Sequence, residues 1–264
     1  MSRKKQVLIA FFSILLVYSL VSLVRIYVRD YDNEKQIRAL AEIRDMEKNT
    51  DETNMDEGAA VPSPVIEKAQ ERTMLPEFQA LYKRNPDIVG WLTVGGTRID
   101  YPIMQNRQDG EFYLDHDFER EINKNGLPFL DEYSHMDDSD ILLIHGHHMK
   151  SGAMFAELMK FKKESYYKEH ATLQFSSLYD KEQYEIVAVI LSKVYLETDE
   201  VFKYYQIDKV QSPAEFQSYM QNIAKLALYD TGVTAQYGDK LIVLSTCEYS
   251  TKDGRLAVVA RKRQ

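Results

Sequence analysis

The chain has 264 residues, 33 Lys and Arg against 41 Asp and Glu for a formal charge of −8, and 44% hydrophobic residues including 18 Tyr and 11 Phe. That composition excludes disorder throughout and any collagen-like or low-complexity character, leaves room for one sizeable globular domain with appendages, and argues against nucleic acid as a partner. The single cysteine, Cys247, excludes an intrachain disulfide and any multi-thiolate metal centre, so its thiol serves either packing or chemistry.

Residues 7–24, VLIAFFSILLVYSLVSLV, contain no charge, Pro or Gly, and with Ile26–Val28 beyond Arg25 they reach the roughly 20 residues that cross a bilayer. Arg3, Lys4 and Lys5 precede the run, which is longer than a signal-peptide core and has no small-x-small cleavage site after it. The reading is an uncleaved signal-anchor over 7–28, with residues 1–6 cytoplasmic and everything beyond it on the extracellular side. Residues 29–66 read as a helical stalk and linker: 32–50 is rich in helix formers, and 50–66 combines acidic residues with Gly58, Pro62 and Pro64. The compact domain is expected over 67–264. It opens on a helix with Leu75, Phe78 and Leu81 on one face that ends at Asn85-Pro86.

Strand signals then dominate, at 88–94, 98–104, 127–131, 140–146, 184–196, 240–247 and 255–262, with Gly95-Gly96 as a hairpin turn. Helices are expected over Met154–Lys163 and over Ser212–Tyr229, the latter with Ser212 as N-cap, Pro213 at N1 and Glu215 at N3. The fold class is mainly β with inserted helices.

Cys247 closes the apolar run Leu241–Leu244, so it stands where a buried strand emerges. If the loop 248–254 makes a hairpin centred on Thr251, Arg255 lies opposite Cys247 on the same face, and a neighbouring cation raises the thiolate fraction. Three of the six histidines, His145, His147 and His148, sit together in IHGHHMKSGAMF (144–155). A metal site, a general acid/base for the sole thiol, and plain loop histidines are the three readings open at this point. Asp115, Asp117, Asp137, Asp138 and Asp140 do not have the spacing of an EF-hand loop, and no metal or cofactor is expected.

These residues resemble the class B sortases. LSTC (244–247) with Arg255 is similar to that family's [TL]-x-T-C…R signature, and Gly146-His147 to its histidine segment. NPDIVGWLTVGGTRIDYPIMQ (85–105), EFYLDHDF (111–118) and NGLPFLD (125–131) follow in the family's order over about 180 residues. The resemblance implies a closed sortase-like β-barrel with N-terminal helices and a helix in the connection between strands six and seven. By position it implies Cys247 as nucleophile, His147 as general acid/base and Arg255 as the cation that stabilises the oxyanion or fixes substrate. Ser245, Thr246 and Glu248 fall beside the nucleophile as candidate substrate contacts, Glu248 being readable also as a solvated loop carboxylate. The implied activity is that of a cysteine transpeptidase of the thiol-protease class, which cleaves a sorting signal after Thr and transfers a surface protein to an amino group of peptidoglycan, either on a lipid-linked precursor or on a stem peptide. A pilin-polymerising sortase using a subunit lysine, and a non-catalytic surface-binding domain, are the alternatives.

Overall fold

The computed structural model describes residues 3–54 and 72–263. The chain forms two compact units, one up to Leu40 and one from Ala41. The expected resumption of the domain at Glu67, and residues 55–66 of the expected linker, lie outside the described residues.

In the first unit, helix α1 (Arg3–Asn54) carries the apolar run. It is long and apolar enough to cross a membrane, and Leu8, Phe11, Leu16 and Leu23 all lie exposed on it. At about 1.5 Å per residue, twenty such residues match the roughly 30 Å hydrocarbon core of a bilayer. The helix continues through the charged 32–50 segment and four residues beyond, because DETN adds no Pro or Gly to stop it.

In the second unit, the end of α1 is fastened to a barrel. The Arg44 guanidinium lies 4.4 Å over the Trp91 ring, and its Nη1 donates to Asp100 Oδ1 at 2.9 Å. That oxygen also accepts from Trp91 Nε1 at 2.6 Å and from Thr93 Oγ1 at 2.9 Å. Glu47 accepts from the backbone N–H of Ala80, within α2 (Pro76–Arg84), which ends at Asn85 as the following proline requires.

The barrel has eight strands: β1 (Ile88–Thr93), β2 (Asp100–Met104), β3 (Phe129–Leu130), β4 (Ile141–His145), β5 (Thr172–Ser177), β6 (Lys181–Lys193), β7 (Leu241–Cys247) and β8 (Gly254–Lys262). They close in the order β1-β2-β3-β4-β7-β8-β6-β5, with β2/β3 and β4/β7 parallel and the rest antiparallel. Seven of the strands stand where the hydrophobic pattern puts them. The eighth, β5, is TLQFSS, too polar to stand out from a loop, yet its pairing with β1 closes the barrel.

Alternation divides each strand between the barrel interior and the outside. On β7, Leu241 and Val243 belong to the cluster that includes Phe216, Tyr219 and Ile223 of α4 (Pro213–Leu226), so odd-numbered residues face outward under the β6–β7 connection. Ile242, Leu244 and Thr246 therefore fill the interior, and all are buried. Ser212 caps α4, accepting from Glu215 N at 3.2 Å. Burying each of the helix's large apolar side chains contributes about 1.5–3 kcal/mol.

The segment expected as a helix over Met154–Lys163 is a 3₁₀ helix, Phe155–Lys162. Its buried side chains, Phe155, Leu158 and Phe161, recur every three residues, which suits three residues per turn better than 3.6. A short helix α3 (Glu164–Glu169), not evident in the sequence, follows it.

On the 3₁₀ helix, Glu157 is 7% exposed; it accepts from Arg98 N at 2.6 Å and pairs with Lys160 at 2.5 Å. Burial opposes its ionisation, but the hydrogen bonds from Lys160 and the Arg98 N–H prevail and hold its carboxyl below the usual range. A depressed folded value adds stability above the unfolded pKa of about 4.3 and loses it as pH falls through the folded value. The stability lost in Glu157→Gln is thus expected to be full at pH 7 and to vanish on acidification, as urea midpoints measured from pH 7 to 3 will show.

Candidate active site

Cys247 ends β7 and Arg255 follows the first residue of β8, and the two are cross-strand partners. Glu248 N donates to Gly254 O at 2.9 Å. The 248/254 pair is therefore of the hydrogen-bonded kind and the 247/255 pair of the other kind, in which side chains stand closer. The turn between them is tight: a Cβ on Gly254 would lie 2.4 Å from the carbonyl oxygen of Glu248, so only glycine fits there. Arg255 is in turn level with Ser192 on β6. A thiol, a guanidinium and a hydroxyl thus form one row on the outer face, edged by the β6–β7 connection. Both Cys247 and Arg255 are half-buried.

Arg255 Nη1 donates to Gly254 O at 3.1 Å, and among the described residues it forms no ion pair with a carboxylate. Its positive charge beside the thiol remains available to an anion. Tyr204 reaches in from the connection and shares a 2.7 Å hydrogen bond with Ser245 Oγ. Burial pushes the Tyr204 hydroxyl up to about 12, keeping it neutral. Burial first and then the Cys247 charge raise the Tyr249 hydroxyl, against the opposing field of Arg255.

The histidine segment leaves β4 beside β7. His145 pairs in register with Ser245, and Gly146 N donates to Ser245 O at 3.0 Å, so the segment carrying His147 leaves the sheet beside the end of β7. Thr246 Oγ1 donates to Gly146 O at 2.8 Å, tying the two chains from inside the barrel. Glycine is required at 146 because a Cβ there would stand 2.5 Å from the Phe155 ring.

Each of the three imidazoles has a partner. His147 Nε2 lies 2.7 Å from Leu114 O. A carbonyl only accepts, so this contact assigns the proton to Nε2 and leaves Nδ1 to exchange one. His148 Nδ1 donates to Cys247 O at 3.0 Å, and its ring stacks on Tyr249 with centroids 5.0 Å apart. His145 Nε2 pairs with Asp131 at 2.8 Å. The three rings point to three different partners, and among the described residues no group of three or more His, Cys, Asp or Glu side chains is arranged to hold a metal ion.

The sequence-predicted residues Cys247, His147, Arg255, Ser245, Thr246 and Glu248 all gather at this end of the barrel. Ser245 and Thr246 are engaged with Tyr204 and Gly146, and Glu248, 6% exposed, is engaged with Lys162 and Ser250. Sequence reasoning missed Leu114, Tyr204, Tyr249 and Lys162. Leu114 lay within the recognised EFYLDHDF stretch, but its contribution is a backbone carbonyl, which no side-chain pattern reveals.

A sortase-domain profile matches residues 92–263. The chain is 34% identical over 185 residues to sortase B of Listeria monocytogenes, covering 69% of this chain and 72% of that protein. The chain belongs to the class B sortases. Sortase B of Staphylococcus aureus is 30% identical over 205 residues, 75% of this chain and 78% of that protein. Among solved structures, this sortase superposes on the Staphylococcus aureus sortase B–substrate complex with a TM-score of 0.72 at 25% identity, covering 90% of this chain and 99% of that one. A Bacillus anthracis sortase B complex superposes at 0.68 with 28% identity, covering 90% and 99%. The fold expected from the resemblance, a closed barrel with a helix in the sixth-to-seventh connection, is the fold found. As a sortase the chain is a cysteine transpeptidase acting in cell-wall anchoring.

Proposed function

We propose that this sortase cleaves a sorting signal after its threonine and transfers the protein so released to an amino group of peptidoglycan. Cys247 thiolate attacks the threonine carbonyl, and Arg255 stabilises the tetrahedral oxyanion. His147 then gives a proton to the leaving amine, and the products are a thioacyl enzyme and a free amine. In the second half-reaction an acceptor amine loses its proton to His147 and displaces the thiolate, restoring the enzyme. The backbone N–H of Glu248 is committed to Gly254, which leaves Arg255 as the main support for the oxyanion. Ser245, on the same outer face as Cys247, is assigned to the wall of the substrate groove, whereas Thr246 and Glu248 are taken up by Gly146 and by Lys162 and Ser250.

The single observation that carries this reading is the register: one sheet pairs Cys247 with Arg255, and pairs His145, two residues before His147, with Ser245, two residues before Cys247. An N-terminal helix fit to cross a membrane supports anchoring, with residues 7–28 in the bilayer, the domain from 67 onward outside, and a lipid-linked acceptor held on the same surface at raised effective concentration.

His147→Ala tests the double role. General acid/base catalysis supplies about 10²–10⁴-fold, so with a sorting-signal peptide and an added amine both acyl-enzyme formation and its resolution should slow by that factor. A variant slow in only one half-reaction would remove His147 from the other. Use of a pilin-subunit lysine as acceptor predicts resolution by that subunit in preference to peptidoglycan-derived amines, measured in the same assay.

A further inference from the structure

Glu248 directly follows the nucleophile, and in a sortase an unpaired carboxylate there would work against the chemistry. Its negative charge, one residue from the thiol, would oppose thiolate formation at Cys247. The side chain is 6% exposed, too buried for water to screen it.

The structure shows how that charge is met. Lys162 Nζ lies 2.6 Å from Glu248 Oε1, while Ser250 donates to Oε2 from its N–H at 3.0 Å and its hydroxyl at 2.5 Å. Lys162 is the last residue of the 3₁₀ helix. At the first residue of the same helix, Phe155 N donates to His147 O at 2.8 Å. One eight-residue element thus holds the backbone of His147 at one end and the residue after Cys247 at the other. The ammonium, followed by Ser250, keeps the Glu248 carboxyl below the usual carboxylate range, so it is ionised and paired at neutral pH.

We propose that Lys162 is a positioning residue for acyl transfer: by neutralising Glu248, the residue next to the nucleophile, it leaves Cys247 free to ionise. The inference rests on the transpeptidase reading above. Nothing in the sequence marked this lysine, one of three in the run KFKK (160–163).

The test compares Lys162→Met, Lys162→Arg and the double variant Lys162→Met/Glu248→Gln in the full chain in detergent. Three readouts are taken: kcat and KM for sorting-peptide cleavage, the rate of Cys247 alkylation by iodoacetamide at pH 7 followed by intact mass, and thermal unfolding. The expected result is a tenfold or greater fall in kcat for Lys162→Met with KM within twofold, and a severalfold slower alkylation. Lys162→Arg restores both, and so does the double variant, in which no unpaired carboxylate remains. A merely structural lysine predicts that the double variant stays as impaired as the single one, and that outcome overturns the proposal, as does a folded Lys162→Met with wild-type kcat and alkylation rate. Should Lys162→Met fail to fold, Lys162→Gln, which keeps a hydrogen-bond donor without charge, carries the same comparison. Alkylation reports on the thiol whether or not a peptide is turned over. Wild-type chain inactive toward every peptide therefore counts against the transpeptidase reading, and an unchanged alkylation rate counts against the role of Lys162.

Discussion

Cys247→Ala is expected to abolish peptide cleavage and transfer together, lowering kcat by more than about 10³-fold while the fold and peptide binding persist. Both half-reactions pass through the same sulfur, so no partial activity should survive in either. The side chain is small and half-buried at a strand end, so the substitution removes little packing and the unfolding midpoint should move by no more than a degree or two. Peptide cleavage by continuous assay and binding by fluorescence anisotropy separate the two effects. A variant that retains transfer would place the nucleophile elsewhere than Cys247.

The next largest effect is expected at Arg255. Loss of an oxyanion donor typically costs about 10²–10³ in kcat, some 2.7–4 kcal/mol. Here the adjacent backbone N–H is already engaged, so Arg255→Ala should fall at the upper end of that range. Arg255→Lys is not expected to rescue it. Lysine supplies a point charge on a flexible stem, whereas the guanidinium can bond Gly254 O with one nitrogen and face the oxyanion with the others. If Arg255→Lys keeps wild-type kcat, charge alone suffices and the directional role is wrong. If Arg255→Ala raises KM and leaves kcat unchanged, Arg255 binds substrate and does not stabilise the transition state.

Most of what places these three side chains was legible in the sequence for a physical reason. Strands buried on both faces are written as continuous apolar runs, and β7 and β8 are such runs, with the thiol and the guanidinium at the ends that meet across a six-residue loop. The cap and first turn of α4 were readable because Ser-Pro-x-Glu satisfies the free N–H groups of a helix start with local side chains. The element that closes the barrel was not legible, since β5 is half-polar and gains its stability from β1 and β6 on either side. The 3₁₀ geometry of residues 155–162 was hidden for a related reason. The spacing of Phe155, Leu158 and Phe161 satisfies an α-helical face loosely, and packing against the end of the barrel decides in favour of the tighter turn.

The partners of the site residues were the least accessible. His147 depends on a carbonyl 33 positions earlier, His148 on a carbonyl 99 positions later, and Glu248 on a lysine 86 positions before it. Such pairings are products of barrel closure, and no local pattern encodes them. They also change what the site residues can do. The sequence offered Glu248 as a groove residue or a solvated carboxylate, whereas the structure buries it in an ion pair, and three histidines that read as one cluster each have a separate partner.

The most direct test of the account is the intact mass of the full chain in detergent after mixing with Asn-Pro-x-Thr and Leu-Pro-x-Thr peptides, followed by an added amine. The account predicts a covalent adduct equal to the peptide portion ending in threonine, carried on Cys247, absent from Cys247→Ala and discharged when the amine is supplied. A folded protein with a reduced thiol that yields product from such a peptide with no adduct on Cys247, or with the adduct on another residue, would contradict it.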